Sequence, residues 1–280
     1  FRRVLFRSAT RLLAESLAQI EPDILIIAGD VAVADPRKLV ECLELFNDIA
    51  HHRMVIPGNH DLWSTGRHGA ADSYAIYQRL FTRSVEIAGF HRLDGTPLVL
   101  DGTAFVGSIG WYDYQFADDD ADIARKYYER KILPGVGRWN DGRFIRWEHS
   151  DEDFLELTLQ RLRGDLDAVR SSSDAERILA ITHHLPFQEL VVRRKFAAWM
   201  FHNAYMGSPR IGDLLREQDV PLLAVSGHSH QRRSFPIDRQ PGEATLTATN
   251  VGSTYHVKRA LVYRSADDGF TELDSIEVRK

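Results

Sequence analysis

The sequence is poor in cysteine, in long apolar runs and in net positive charge. Its one cysteine, Cys42, leaves no intrachain disulfide, which is typical of proteins from reducing compartments. No stretch approaches the roughly 20 apolar residues that a membrane-spanning helix needs. The 35 Lys and Arg residues are outnumbered by 40 Asp and Glu, giving a net charge of -5. The sequence therefore disfavours a disulfide scaffold, a membrane protein and a nucleic-acid partner.

The chain begins with Phe rather than Met, in a basic segment that reads FRRVLFRS. We expect residues 1–8 to be a non-native or truncated N terminus and residues 9–280 to form a single domain. The apolar part of the opening segment is too short for a signal peptide. Together with the lone cysteine, this predicts a cytoplasmic protein.

Alternating helical and strand patterns run through the chain. Apolar residues at helical spacing predict a helix over 9–20, and the run DILIIAG at 23–29 predicts a strand buried on both faces. A second helix over 36–50 and a second strand over 53–58 follow. Later segments of the same kinds are a hairpin over 97–111, a helix over 151–170 and strands over 177–182 and 221–226. The alternation indicates an α/β fold.

Several of these strands run directly into residues that can bind metal ions. The segments after them are, in chain order, Gly29-Asp30, GNHD at 58–61, HHLP at 183–186 and GHSH at 227–230. In α/β sheets, binding sites form at the carboxyl ends of the strands. Imidazole, carboxylate and amide ligands together suit Zn, Mn or Fe, whereas calcium prefers oxygen ligands alone. The sequence therefore predicts a transition-metal site at one edge of the sheet.

The ordered set GD, GNHD, HH-x-P and GHSH resembles the calcineurin-like metallophosphoesterases over roughly residues 9 to 256. The resemblance implies an α/β sandwich of two mixed β-sheets flanked by α-helices, with two divalent metal ions, Mn, Fe or Zn, at one edge. It also implies hydrolysis of a small phosphorylated substrate by a metal-bound hydroxide. The bond could be a phosphomonoester, a phosphodiester or a nucleotide pyrophosphate.

The resemblance also implies a role for each motif residue. Asp30 would bridge the two ions, and His60 would contact the phosphate and stabilise or protonate the leaving oxygen. Asn59, His183 and His228 would complete one metal site, and His230 would serve the other. His184 remains an alternative to His183, because the spacing to the proline varies in such elements.

One family element is missing from the sequence. The family normally begins with Asp-x-His at the end of a first strand, and residues 1–8 contain neither Asp nor His. We therefore expect a fold without its first strand, one well-filled metal site and one under-liganded site that keeps only Asp30 and His230. Impaired activity follows from that ligand shortage. The alternative is a non-catalytic scaffold or binding protein that retains the fold.

The segment 112–147 is rich in aromatic and charged residues. A long insertion in a compact domain is often functional, so one interpretation is a lid that selects the substrate. The other interpretation is a packed insertion with an amphipathic surface. The sequence does not decide between them.

Overall fold

A computed structural model describes residues 2–33, 35–64, 72–172, 174–239, 243–254 and 256–279, with side chains from residue 8 onward. The helices are α1 (Arg2–Ala18), α2 (Pro36–Leu43), α3 (Ser73–Ala75), α4 (Phe81–Ile87), α5 (Arg125–Glu129), α6 (Asp141–Phe144), α7 (Asp151–Arg170), α8 (Ala197–Asn203) and α9 (Pro209–Arg216). The strands are β1 (Ile24–Ala28), β2 (His52–Ile56), β3 (His91–Arg92), β4 (Leu98–Leu100), β5 (Thr103–Ser108), β6 (Ile132–Leu133), β7 (Gly137–Arg138), β8 (Arg177–Thr182), β9 (Leu222–Ser226), β10 (Arg233–Pro236), β11 (Leu246–Asn250), β12 (Val257–Ala266) and β13 (Gly269–Arg279). Within these ranges no helix is long and apolar enough to cross a membrane.

Side-chain hydrogen bonds explain where α7, the longest helix in the described residues, begins. Ser150 and Asp153 form a capping box at the start of α7, so the side chain of each accepts a backbone hydrogen bond from the other.

The helix predicted over 9–20 begins earlier, at Arg2, and ends at Ala18. The helix predicted over 36–50 ends at Leu43, where a 3₁₀ turn continues the chain. The predicted helix ends are therefore the least accurate part of the assignment.

Two sheets form the centre of the molecule, which confirms the α/β fold class. The smaller sheet has the order β1-β2-β3, and all its strands are parallel. The larger sheet has the order β10-β11-β9-β8-β5-β4 and is mixed, because only its two edge strands run antiparallel to their neighbours. The hairpin predicted over 97–111 is confirmed as β4 and β5, which are joined by a turn at Asp101-Gly102.

Apolar side chains from both sheets meet between them. The buried residues of this layer are Met54, Ile56, Leu93, Phe105 and Ile181. Full burial of such a side chain stabilises the fold by about 1.5–3 kcal/mol. The layer joins β2 of the smaller sheet to β5 and β8 of the larger one, and so fixes how the ends of these strands meet.

Helices cover the outer faces of both sheets. Leu25 and Val55 of the smaller sheet pack in a cluster with residues of α1, α2 and α4, and the hairpin of β12 and β13 contributes Ala260 and Ile276. The outer face of the larger sheet packs against α7 and α9. The result is a four-layer arrangement of helices, sheet, sheet and helices.

The segment 112–147 is held by buried aromatic rings. These rings join the outer core of the larger sheet, and they are Tyr112, Tyr114, Phe116 and Tyr128. Just before the segment, Trp111 meets Phe154 of α7 edge to face, with ring centroids 5.1 Å apart. The segment is therefore anchored to the domain by its apolar side, and its action as a lid stays a prediction.

Stability should fall with rising pH because of one buried acid, Asp165 on α7. Burial and the neighbouring charge of Asp94 raise the pKa of Asp165 to about 7, although the Gly95 N–H donates to its carboxylate at 3.1 Å. The folded state therefore binds this proton more tightly than the unfolded chain. The stability that it contributes is present below the unfolded pKa of about 3.9 and is lost as the pH rises through about 7.

We expect Asp165→Asn to raise the free energy of unfolding at pH 8 by on the order of 1–2 kcal/mol, since solvent screens part of the full penalty. The gain should shrink toward pH 4. Urea denaturation at both pH values checks this, with Asp167→Asn as the control, because Asp167 is exposed on the same helix. A variant no more stable than wild type at pH 8 would contradict the assignment.

Candidate functional site

The candidate site lies where the carboxyl ends of strands from both sheets meet. β1 and β2 are parallel neighbours in the smaller sheet, and β8 and β9 are parallel neighbours in the larger one. The motif residues follow directly after these strands. A hydrogen bond from His183 Nδ1 to the carbonyl oxygen of Ala28, 2.8 Å long, joins the end of β8 to the end of β1. The site is therefore built across the two sheets.

Sharp turns bring the ligand candidates inward at this edge. Gly29 has a φ of +86°, and Asp30 and His228 both have a φ of +57°. Non-glycine residues with positive φ are uncommon and cluster at functional sites. A Cβ on Gly29 would lie 2.6 Å from His183 Nδ1 and 2.7 Å from the backbone nitrogen of Gly58. The close approach of these chain segments therefore requires glycine.

Gly29→Ala should destabilise the protein by about 3 kcal/mol, because positive-φ strain adds to a collision with His183. The matched control is Gly135→Ala, since Gly135 has a φ of +75° and nothing within 4 Å of the added Cβ. We expect the control to cost about 1 kcal/mol. Urea denaturation of both variants checks the difference, and equal losses would show that the collision is unimportant.

The imidazoles of His183 and His228 are each oriented by a backbone carbonyl. His183 Nδ1 donates to Ala28, and His228 Nε2 donates to the carbonyl oxygen of Tyr205 at 3.1 Å. A carbonyl can only accept, so these nitrogens carry the protons. The opposite nitrogens, His183 Nε2 and His228 Nδ1, keep their lone pairs and lie 3.3 Å apart. Metal-binding histidines are held in the same way in known sites.

Two oxygen acceptors complete this group. Asn59 Oδ1 lies 3.1 Å from His183 Nε2, and Asp30 Oδ1 lies 3.3 Å from the same nitrogen. The neutral form of His183 has no proton at Nε2 to offer them. The lone pair of His183 Nε2 would then face three other acceptor atoms, and this is unfavourable unless a proton or a cation lies among them. A divalent cation would satisfy all four atoms at once.

The donor set fits a transition metal by its chemistry. In the described part of the chain no three His, Cys, Asp or Glu side chains form a preformed metal-binding group. The four atoms at this edge are related only through His183 Nε2, which lies 3.1–3.3 Å from each of the other three, and one of them is the amide oxygen of Asn59. Two imidazole nitrogens, one carboxylate oxygen and one amide oxygen make up a set that Zn, Mn or Fe accepts.

The charges at the site are those expected of a ligand cluster. Burial alone would raise the pKa of Asp30, but the nearby His183 and His60 side chains and the His60 N–H lower it below its ordinary value. Burial, with the neighbouring imidazoles, lowers the pKa of His228 well below its ordinary value. Asp30 is therefore ionised and His228 neutral at neutral pH, which are the forms that bind metal ions.

His60 lies beside this group rather than within it. Its backbone N–H donates to Asp30 Oδ1 at 3.0 Å, while its ring nitrogen Nδ1 lies 3.9 Å from Asp30 Oδ2. The imidazole stacks on the indole of Trp63, with ring centroids 3.9 Å apart. The ring is thus fixed next to the candidate ligands.

Two other histidines of the motifs lie near the four converging atoms. His184 Nδ1 donates to the carbonyl oxygen of Ile109 at 2.9 Å, and burial together with the neighbouring His183 lowers the pKa of His184 to about 3. Its Nε2 is buried without a hydrogen-bond partner in the described residues. His230 is exposed at the rim of the site. Of these two neighbours, His183 is therefore the one whose Nε2 lies beside Asn59 Oδ1 and Asp30 Oδ1.

Two carboxylates beside the site have no role in the sequence prediction. Asp61 accepts hydrogen bonds from the Ala32 and Gly58 N–H groups at 2.7 and 2.9 Å, and so ties the turn after β1 to the turn after β2. Burial and the charge of Asp30 raise the pKa of Asp61 to about 7. Asp141 contacts Asn59 from the insertion. Asp61 lies within the GNHD motif, whereas no spacing signal marks Asp141.

Known proteins share the fold of this chain. The family model of the calcineurin-like phosphoesterases matches residues 4–232. No curated protein matches the chain significantly. Phosphopantetheinyl hydrolase from Mycobacterium tuberculosis is a similar solved structure, with a TM-score of 0.60 and 18% sequence identity, and the match covers 81% of this chain and 78% of that one. At this identity the likeness concerns the fold. Because the family match spans most of the sequence, the chain belongs to the calcineurin-like phosphoesterase family.

Proposed function

We propose that this chain hydrolyses phosphate esters at a divalent metal centre. The observation that carries the proposal is the convergence of His183 Nε2, His228 Nδ1, Asn59 Oδ1 and Asp30 Oδ1 with no proton donor among the neutral forms. A scaffold would not need acceptor atoms grouped around His183 Nε2 in this way. A metal-dependent hydrolase needs them.

The four converging side chains would hold one ion, and Asp30 with His230 would hold a second ion more weakly. Three protein ligands are usual for a catalytic zinc, so the second site has fewer than a strong site requires. When bound, Mn, Fe or Zn ions offset the charge of the phosphate and make water acidic enough to supply hydroxide at neutral pH. We expect the weaker second site to limit activity.

His60 is the proposed proton donor to the leaving oxygen. Stacking on Trp63 and the backbone hydrogen bond to Asp30 hold the residue in place beside the ligands. An imidazole at such a position can donate a proton to a leaving oxygen. Its fixed orientation avoids the entropy cost of placing a flexible acid in the transition state.

The substrate class that the proposal supports is a small phosphorylated molecule. The related hydrolase from Mycobacterium tuberculosis is named for phosphopantetheinyl groups. We therefore include a phosphopantetheinyl ester among the candidates, next to a phosphomonoester, a phosphodiester and a nucleotide pyrophosphate.

A metal-loading assay tests the proposed function. The protein is stripped with a chelator, reloaded with Mn²⁺, Fe²⁺ or Zn²⁺, and assayed on all four substrate types. We expect at least one to be hydrolysed only after loading, and Asp30→Asn to abolish the activity, which excludes a contaminating enzyme. Metal binding without hydrolysis of any substrate would instead identify a binding protein that retains the fold.

A further inference from the structure

Asp141 is a buried carboxylate at the start of α6, within the insertion 112–147, and it is 1% exposed. Its Oδ1 accepts hydrogen bonds from Asn59 Nδ2 at 2.8 Å and from Trp63 Nε1 at 2.6 Å. Its Oδ2 accepts from the Tyr112 hydroxyl at 3.0 Å and from Trp139 Nε1 at 2.8 Å. The side chain of Asp141 thus accepts hydrogen bonds from four other side chains at the edge of the site.

All four donors to Asp141 are uncharged. A buried carboxylate without a cationic partner is costly, and hydrogen bonds to the charged group offset the cost only when the geometry is good. Here each oxygen accepts two hydrogen bonds of ordinary length. This arrangement holds the four donor groups in fixed orientations, since moving any of them leaves the charge less well solvated.

The consequence is largest for Asn59. A carboxylate can only accept, so the amide must turn its Nδ2 toward Asp141. Its Oδ1 is then directed to the opposite side, where it lies 3.1 Å from His183 Nε2. We propose that Asp141 is the positioning residue of the metal centre, which orients the amide of Asn59 so that its oxygen faces the metal. The inference rests on the proposed function.

The same carboxylate fixes two indoles beside the other imidazoles. Trp63 stacks on His60, and the Trp139 ring lies edge-on to His228 with centroids 5.6 Å apart. Trp139 also stacks on Tyr205, whose carbonyl oxygen accepts the hydrogen bond from His228. Through Asp141, the insertion therefore holds both indoles against the imidazoles of the site.

Two matched substitutions distinguish the proposed positioning role of Asp141 from the general effect of losing a buried carboxylate. Asp151 is a second buried carboxylate in this region, and it accepts hydrogen bonds from Trp111 Nε1, the Tyr114 hydroxyl and Lys131 Nζ. None of these donors is a proposed ligand. Asp141→Asn and Asp151→Asn each replace a carboxylate oxygen by an NH₂ group that faces a donor. Only Asp141→Asn also weakens the constraint on Asn59, because one accepting oxygen must then serve either Asn59 and Trp63 or Tyr112 and Trp139.

We expect Asp141→Asn to weaken Mn²⁺ binding about 10- to 100-fold, the usual effect of losing a group that orients a ligand. Asp151→Asn should stay within about threefold of wild type, because its donors are not ligands. Isothermal titration calorimetry with Mn²⁺ gives the dissociation constants, and circular dichroism gives the folded fraction for each variant. Unchanged Mn²⁺ affinity in folded Asp141→Asn, or an equal loss in both variants, would overturn the proposal.

A measurement on the metal-free wild-type protein keeps the test independent of metal binding and of variant folding. The side-chain amide protons of Asn59, assigned by NMR with Asn59→Asp, should exchange slowly with solvent because they are bonded to Asp141. Fast exchange would overturn the positioning role. If wild type binds no Mn²⁺ while the amide protons are protected, the proposed function fails and the orienting contact stands.

Discussion

Replacing His183 with alanine should lower metal-dependent phosphate ester hydrolysis by about a thousandfold. The ions contribute several kcal/mol of transition-state stabilisation, and a loss of about 4 kcal/mol corresponds to that factor. His183 Nε2 lies within 3.3 Å of the other three ligand atoms, so its removal opens the centre of the group. Steady-state kinetics with saturating Mn²⁺, together with titration of the bound metal, checks the effect.

His184→Ala is the matched control, since it removes the neighbouring imidazole by the same truncation. His184 Nδ1 donates to the Ile109 carbonyl, and its Nε2 has no hydrogen-bond partner in the described residues, so we expect a loss of stability with metal affinity retained. Activity is compared per folded molecule, with the folded fraction taken from circular dichroism. A loss of metal binding in His184→Ala with His183→Ala unaffected would reverse the ligand assignment.

His60→Ala should lower kcat by about 100- to 10,000-fold for an alkyl phosphate ester, while the metal affinity stays near that of wild type. The alkoxide that leaves such an ester needs a proton, and His60 is held beside Asp30 to donate it. Kinetic assays of kcat and titrations with Mn²⁺ separate the two effects.

A nitrophenyl ester provides the control for the role of His60. Its leaving group departs without protonation, so the same variant should lose much less activity on this substrate. Equal losses on both esters would contradict a proton-donating role. In that case His60 would act by binding the phosphate.

The sequence was sufficient to predict which motif residues would meet at one edge, because its signals are local. Each buried strand is a short apolar run, and the residues after it are the candidate ligands. Parallel strands bring their carboxyl ends to one edge, so residues far apart in the chain can be expected to meet. The structure brings Asp30, Asn59 and His183 together in this way.

The choice between His183 and His184 depends on contacts that no local pattern contains. The carbonyl oxygens of Ala28 and Ile109 orient the two rings, and both come from other strands or turns. Asp141 was not predicted for the same reason. It lies 82 residues from Asn59, in an insertion whose course is set by aromatic packing.

The most direct test of the account is where a transition metal binds. Crystals soaked in Zn²⁺ and measured at the zinc absorption edge should show an anomalous peak about 2.0–2.2 Å from His183 Nε2, His228 Nδ1, Asn59 Oδ1 and Asp30 Oδ1. A second peak near Asp30 and His230 should be weaker. A peak bound by His184 in place of His183, or zinc found only away from these four atoms, would contradict the proposed metal centre.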